Sequence, residues 1–191
     1  VYPMRALCSA GEQCRGLCQR CGAELNPLPP DAVRCLACGA EVAYDPVTTN
    51  LTAVVPEGSG LWSIDGDTRS PPPRFRLCAH RPAAAVCNWL VPAELPHAIC
   101  LSCRTTHKVP PLDRPRNKDR LREIESAKRR MLHALLLIDL PVVPKEDDAM
   151  NGVAFDLLES LEGEPRVLTG HAGGLITINV AEADDDYREF H

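Results

Sequence analysis

The sequence predicts an α+β protein in which two small four-cysteine modules precede a helix and a β-hairpin. Ten cysteines occur in a chain of 191 residues, of which aromatic residues make up only 4%. Eight of these cysteines form two sets with the spacing of metal ligands, and an amphipathic segment and then an alternating segment follow them. A core this poor in aromatic residues needs another source of stability, and bound metal supplies it in small modules.

The first cysteine set has the spacing C-x2-C-x13-C-x2-C and belongs to the segments C-Q-R-C-G and C-L-A-C-G. A Cys-x-x-Cys-Gly turn is a knuckle that aims two thiolates at one point, and two knuckles make a closed tetrahedral zinc site. Two disulfides or four unrelated buried thiols are the alternatives, but both knuckles would then have arisen by chance. The predicted ligands of this zinc-ribbon-like module are Cys18, Cys21, Cys35 and Cys38.

The second set has the looser spacing C-x8-C-x12-C-x2-C, and only its second half is a knuckle. We expect four sulfur ligands here, although His80 and His97 lie close enough in sequence to replace one of them. Trp89, two positions after a cysteine, is expected to fill the core of this small module. The predicted ligands of this second structural zinc ion are Cys78, Cys87, Cys100 and Cys103.

Three proline clusters, at residues 27–30, 71–73 and 110–115, divide the chain. We expect a flexible tail over residues 1–16, a first zinc ribbon over 17–60, a second four-cysteine zinc module over 61–112 and an α+β domain over 113–191. Cys8 and Cys14 match neither cysteine set, so we expect them to be free thiols in the tail.

The segment from Asn117 to Leu140 predicts an amphipathic helix that ends before Pro141. Eight basic and three acidic residues fall between residues 114 and 130, and this run is either a solvated face or a patch for an anionic partner. The expected apolar face comprises Leu121, Ile124, Met131, Leu132, Leu135 and Ile138. The expected polar face comprises Arg120, Arg122, Glu123, Lys128 and Arg129.

Near the carboxyl end, apolar and polar residues alternate with the period of a strand over Leu175 to Val180. The H-A-G-G turn before this strand predicts a hairpin with Arg166 to Thr169. We expect the polar face with Thr177 and Asn179 to be open to a ligand. A carboxylate cluster follows and either starts a helix or binds a divalent cation; its members are Glu182, Asp184, Asp185 and Asp186.

The overall composition excludes some classes of protein. A formal net charge of −5 argues against a dedicated nucleic-acid binder, whose domain is usually strongly basic. No apolar run is long enough to span a bilayer, and the amino terminus lacks the apolar region of a signal peptide. We therefore expect a cytoplasmic location, where paired cysteines bind metal more often than they oxidise.

The order of motifs resembles a bacterial family of zinc-binding metallopeptidases with an amino-terminal zinc-ribbon region. The resemblance covers Leu17 to His191. After the two C-x2-C-G knuckles it rests on R-L-C, V-C-N-W, C-x-S-C-R and A-K-R-R-M. It ends with V-L-T-G-H-x-x-G-L-I-T-I-N-V-A-E-A-D-D.

This resemblance implies that the carboxyl-terminal part begins a zincin-like domain and that an extended peptide substrate binds the strand from Leu175 to Val180. Members of the family continue into a helix with an H-E-x-x-H motif, which binds catalytic zinc and activates water. The 191 residues contain no such motif. We therefore expect the chain to be inactive as it stands, either as a fragment or because the catalytic half is lost. The alternative function is a zinc-ribbon adaptor that binds protein or nucleic acid.

Overall fold

A computed structural model of the chain describes residues 17–25, 32–82 and 87–190. The chain divides into two compact units, and the mixed helix and strand content confirms the α+β prediction. The first unit contains the described residues up to Arg81 together with Cys87–Cys100, and the second contains Pro82 and the residues from Leu101 onward. Cys8, Cys14 and the rest of the predicted tail lie outside the described residues.

The first unit is built on a five-stranded antiparallel sheet with the order β1-β2-β3-β4-β5. The boundary predicted between residues 60 and 61 falls in the turn that joins β2 to β3, so strands from both predicted modules are hydrogen-bonded to each other. The strands are β1 (Val42–Asp45), β2 (Asn50–Gly58), β3 (Leu61–Ile64), β4 (Phe75–Leu77) and β5 (Leu90–Pro92).

The core of this unit is small. Ala43, Val54, Phe75 and Leu90 are buried together, one from each of four strands. Trp89 is fully buried and its ring centroid lies 4.5 Å from that of Tyr44. The prediction that Trp89 is a core residue is therefore confirmed.

The second unit combines helices with a four-stranded sheet of order β6-β7-β9-β8. Strands β6, β7 and β9 are parallel, whereas β8 is antiparallel to β9. The elements are α1 (Leu101–Arg104), β6 (Thr106–Lys108), α2 (Asn117–Leu137), β7 (Ala154–Leu158), β8 (Gly170–Ala172), β9 (Leu175–Asn179), a 3-10 helix (Val180–Ala183) and α3 (Asp185–Phe190).

One face of this sheet packs on α2. Phe155 pairs in register with Ile176, and Leu157 pairs with Ile178, so the period-2 alternation of both strands places four apolar side chains on one face. These side chains form a core cluster with Leu121 of α2. The alternation predicted for the second strand of the hairpin is thus part of the core of the second unit.

The buried face of α2 differs from the predicted one. Lys128 and Arg129, expected on the polar face, are 4% and 1% exposed, whereas Met131 and Ile138, expected on the apolar face, are 41% and 66% exposed. The physical reason is that the carboxylate of Glu125, one helical turn earlier, neutralises Lys128. Oε1 of Glu125 lies 2.8 Å from Nζ of Lys128. The buried residues of the helix are Asn117, Leu121, Glu125, Lys128, Arg129 and Leu132.

The hairpin also differs from the predicted one. Its first strand is Gly170–Ala172 rather than Arg166 to Thr169, and Gly173 and Gly174 form the turn. β9 lies between β7 and β8, and the backbone N–H of Asn179 donates to Thr169 Oγ1 at 3.0 Å. Both edges of this strand are therefore occupied, which corrects the expectation of an open strand at Leu175 to Val180. The outer strand on this side is β8.

Among the described residues, no helix has both the length and the apolar character needed to cross a membrane.

Candidate metal centres

Two knuckles form the first site. In the first knuckle the N–H of Gly22 donates to the carbonyl of Cys18 at 2.7 Å, and in the second the N–H of Gly39 donates to the carbonyl of Cys35 at 2.9 Å. Both glycines have a positive φ, 73° and 71°, which other residues adopt only at a cost. The glycine after each cysteine pair therefore allows the turn that points both sulfurs to one side.

The sulfur positions of the first site fit one zinc ion. The Sγ atoms of Cys18 and Cys38 are 3.6 Å apart, and those of Cys21 and Cys35 are 3.8 Å apart. A tetrahedron with Zn–S bonds of about 2.3 Å has edges of about 3.8 Å. A disulfide would bring two sulfurs to about 2.05 Å. All four ligand atoms lie within 4.8 Å of one another, so this arrangement favours zinc over two disulfides.

The second set converges in the same way. Its four Sγ atoms also lie within 4.8 Å of one another, and those of Cys87 and Cys100 are 3.5 Å apart. The backbone N–H of Cys100 donates to Sγ of Cys78 at 3.4 Å, a contact that stabilises a thiolate. All four cysteines of this set are buried, including Cys103. His80 and His97 are not part of the converging group.

The surroundings of the first site shift the pKa values of two of its thiols in opposite directions. The backbone N–H of Cys38 lowers the pKa of the Cys35 thiol to about 7. At Cys21 the backbone N–H of Ala23 lowers the pKa, but the Cys38 thiol, burial and the thiols of Cys18 and Cys35 together raise it to about 12. Zinc binds thiolates, so zinc binding at this site displaces thiol protons.

Both centres are structural in their chemistry. Four thiolates fill the tetrahedral coordination of zinc and leave no position for a water molecule or a substrate. The two four-cysteine groups therefore fit two structural zinc ions, and the chain is a zinc-binding protein. The free energy of binding in such sites contributes to folding.

Asn179, in the G-L-I-T-I-N-V-A-E segment, is a structural residue. It is 1% exposed, and its side-chain amide donates to Val167 O and Ser160 Oγ, both at 3.1 Å. Its Oδ1 accepts from the N–H of Ala181 at 3.1 Å, which caps the 3-10 helix. Asn179 is therefore not open to a ligand, and its buried contacts correct that expectation.

The carboxylates that follow are used within the fold. Asp184 accepts from Nε of Arg120 at 3.1 Å and lies 3.1 Å from Nη2 of Arg116, and Glu182 accepts from Oγ1 of Thr169. Asp185 and Asp186 occupy the first turn of α3, which confirms the prediction that the cluster starts a helix. In the part of the chain that the structure describes, the two cysteine sets are the groups of three or more potential ligands that converge.

Acid is expected to weaken the contact between Asp184 and α2. The hydrogen bond from Arg120 lowers the pKa of Asp184 below its ordinary value of 3.8. Its stabilising contribution is therefore complete above the unfolded pKa and is lost as the pH falls through the lower folded pKa. In thermal unfolding, Asp184→Asn should lower the stability at neutral pH and flatten its decline in acid. Asp186→Asn, at an exposed position in α3, is the control and should leave the acid limb unchanged.

The basic run before and within α2 is largely paired. Arg114 lies 3.5 Å from Glu159, and Arg122 lies 2.8 Å from Asp119. Arg116 and Arg120 pair with Asp184, as described above. The run is thus neither a uniformly solvated face nor a continuous positive surface, because its carboxylate partners and the burial of Lys128 remove much of that charge.

A sequence signal for the buried charges of α2 does exist. Asn117, Leu121, Glu125, Lys128 and Leu132 recur at intervals of three and four residues, which is the spacing of one helical face. The predicted polar face was assigned from the polarity of each side chain alone, and this criterion places Lys128 in solvent. Opposite charges three residues apart, at Glu125 and Lys128, are the feature that could have indicated a buried pair.

Comparison with known proteins gives two family matches. A zinc-ribbon domain family matches residues 16–114, and a family described as "Putative zinc-binding metallo-peptidase" matches residues 117–191. Similar curated proteins are uncharacterized protein Mb2598c of Mycobacterium bovis and uncharacterized proteins MT2644 and Rv2568c of Mycobacterium tuberculosis. Each is 32% identical over 172 residues, which is 90% of this chain and 44% of the relative. The chain thus spans less than half the length of these relatives. No solved structure matches significantly.

Proposed function

We propose that the chain, which belongs to a zinc-ribbon family over residues 16–114 and matches a family described as "Putative zinc-binding metallo-peptidase" over residues 117–191, is the zinc-ribbon and pre-catalytic portion of a zinc metallopeptidase. The observation that carries this proposal is the order of its parts. Two closed four-cysteine sites precede a mixed sheet whose edge strand is antiparallel to its neighbour. The chain supplies scaffold and substrate-binding surface, and its 191 residues contain no H-E-x-x-H motif.

The proposed surface for a peptide substrate is the free edge of β8. Gly170, His171 and Ala172 are exposed, and no other described strand pairs with the outer edge of β8. An extended peptide can add to such an edge through main-chain hydrogen bonds. This position replaces Leu175 to Val180, whose edges are occupied. The turn of the hairpin that carries it is held in place, because Lys145 Nζ donates to Gly173 O at 2.6 Å.

The ion pairs of the basic run support a protein rather than a nucleic-acid partner. Affinity for nucleic acid depends on cations that are free to replace counterions around phosphates. Arg116 and Arg120 share the carboxylate of Asp184, and Lys128 is buried. The four-cysteine sites require reduced thiols, so we also place the protein in a reducing compartment, the cytoplasm.

The test of this function is a peptidase assay on two forms of the protein. Residues 1–191 loaded with zinc are expected to cleave no peptide substrate, because a water-activating zinc needs an open position and a general base. The coding DNA beyond codon 191 should be read for H-E-x-x-H, and the longer product should be active. Its Glu→Gln variant in that motif is the matched inactive control. Chelator-sensitive cleavage by residues 1–191 alone, or an inactive longer product that carries the motif, contradicts the proposal.

A further inference from the structure

The two cysteine sets differ in how exposed their cysteines are. In the first set Cys21 and Cys38 are exposed, whereas Cys18 and Cys35 are 0% and 2% exposed. All four cysteines of the second set are buried, and none of them is more than 3% exposed. Each knuckle of the first site therefore presents its second cysteine to solvent, whereas the second site presents no cysteine to solvent.

This difference decides which zinc ligands an oxidant can reach. Oxidation of a cysteine requires both thiolate character and access from solvent. Zinc gives all eight ligands thiolate character, so access is what distinguishes the two sites. Hydrogen peroxide can approach Cys21 and Cys38 in the folded protein, whereas the second set can react only after local opening of the structure.

Each exposed cysteine of the first site also has a buried partner in the other knuckle. Sγ of Cys38 lies 3.6 Å from Sγ of Cys18, and Sγ of Cys21 lies 3.8 Å from Sγ of Cys35. The S–S distance of a disulfide is about 2.05 Å, so the sulfurs of each pair need to approach by less than about 2 Å. An oxidised sulfur at Cys21 or Cys38 thus has a thiolate beside it with which it can form a disulfide.

We propose that the first zinc site is a peroxide-sensitive modification site, in which Cys21 and Cys38 are the points of attack, and that the second site is resistant. The thiolate of an exposed cysteine attacks the O–O bond of hydrogen peroxide, which yields a sulfenic acid and hydroxide. The buried thiolate of the same pair then attacks the sulfenic sulfur, which forms the disulfide and releases a second hydroxide.

This reaction removes the ligands of the first zinc ion. Two electrons pass from the two sulfurs to the peroxide, and two protons from solvent convert the two hydroxides to water. A site with one disulfide keeps only two of its four thiolates, which is too few to hold structural zinc. The reactivity does not depend on peptidase activity.

Zinc release by hydrogen peroxide tests this proposal on residues 1–191 loaded with two zinc ions. Cys8→Ser and Cys14→Ser together remove the thiols outside both sets and provide the background protein. We expect one zinc ion per chain to leave at least about tenfold faster than the other, because local opening that costs about 1.4 kcal/mol slows a reaction by that factor. A chromophoric chelator follows the release.

Peptide mass spectrometry assigns the faster phase to a site. When one zinc ion has left, we expect the disulfides Cys18–Cys38 and Cys21–Cys35, with the second set still reduced. A reductant and added zinc should then restore the form with two zinc ions. Equal rates of loss from the two sites, earlier loss from the second site, or loss of the first zinc ion while Cys21 and Cys38 still react with iodoacetamide overturns the proposal.

A variant without exposed sulfurs provides the matched control. Cys21→His combined with Cys38→His keeps four ligands of types that bind structural zinc and leaves only the buried thiolates in the first site. Its first site should lose zinc no faster than its second site. A fast phase that survives in this variant overturns the proposal. Should the variant not hold two zinc ions, the disulfide map of the background protein decides between the same outcomes.

Discussion

Replacing Cys100 with serine is expected to leave one zinc ion per chain and to unfold the region around the second site. Cys100 is fully buried, and its sulfur and backbone N–H contact Cys87 and Cys78. The substitution leaves three thiolates and a poor ligand for a metal whose binding contributes about 10–16 kcal/mol in small zinc modules. Metal analysis and the near-ultraviolet circular dichroism of Trp89 should both report the loss. Cys14→Ser, outside both cysteine sets, is the control.

The matched substitution in the first site should have a different result. Cys21→Ser is expected to remove the other zinc ion and to disrupt the two knuckles, while α2 keeps its helical signal. A Cys100→Ser protein that retains two zinc ions and the wild-type melting temperature contradicts the assignment of the second site. Loss of all helical signal in Cys21→Ser contradicts the independence of α2 from the first site.

Replacing Gly174 with alanine is expected to destabilise the second unit by about 2–5 kcal/mol, the sum of a left-handed backbone penalty and a steric clash. A Cβ atom at this position would lie 2.2 Å from the carbonyl oxygen of Gly152, and φ is +79°. Gly152 is itself closely packed, because a Cβ atom added to it would lie 2.4 Å from the carbonyl oxygen of Asp148. The backbone at Gly152 therefore cannot easily move away from a side chain at Gly174. Urea unfolding followed by far-ultraviolet circular dichroism measures the change.

Gly173 is a matched control in the same turn. Its φ is +54°, but a Cβ atom there would meet nothing within 4 Å. Gly173→Ala should therefore cost only the backbone penalty of about 1–2 kcal/mol. Equal costs at the two positions contradict the close approach of the hairpin turn to Gly152. Glycine is thus favoured at both positions of this turn because the backbone is left-handed. At Gly174 it is also required by the close contact with the backbone of Gly152.

Local chemistry explains what the sequence could predict. Zinc ligands must converge within a few residues, so C-x2-C-G knuckles are visible in the order of the residues alone. Trp89 was predictable as core because a small module has few large side chains to bury. The acidic start of α3 was predictable because the helix dipole favours carboxylates at that end.

Contacts between distant segments explain what the sequence could not predict. β9 pairs with β7 on one side and with β8 on the other, so the free edge on this side of the sheet belongs to β8. No local sequence signal specifies this strand order. The buried face of α2 depends on Glu125 and Lys128 meeting Ser102 and Thr106, which lie in an earlier segment of the chain. The role of Gly174 likewise depends on contact with Gly152, which lies in an earlier segment of the chain.

Counting zinc by native mass spectrometry on reduced, freshly purified residues 1–191 tests the central claim most directly. The claim is that the chain holds two closed structural zinc sites and no catalytic one. The predicted result is a dominant species with two zinc ions that takes up no third ion when zinc is added in modest excess. A species with no zinc or one zinc, or a tightly bound third ion, contradicts it.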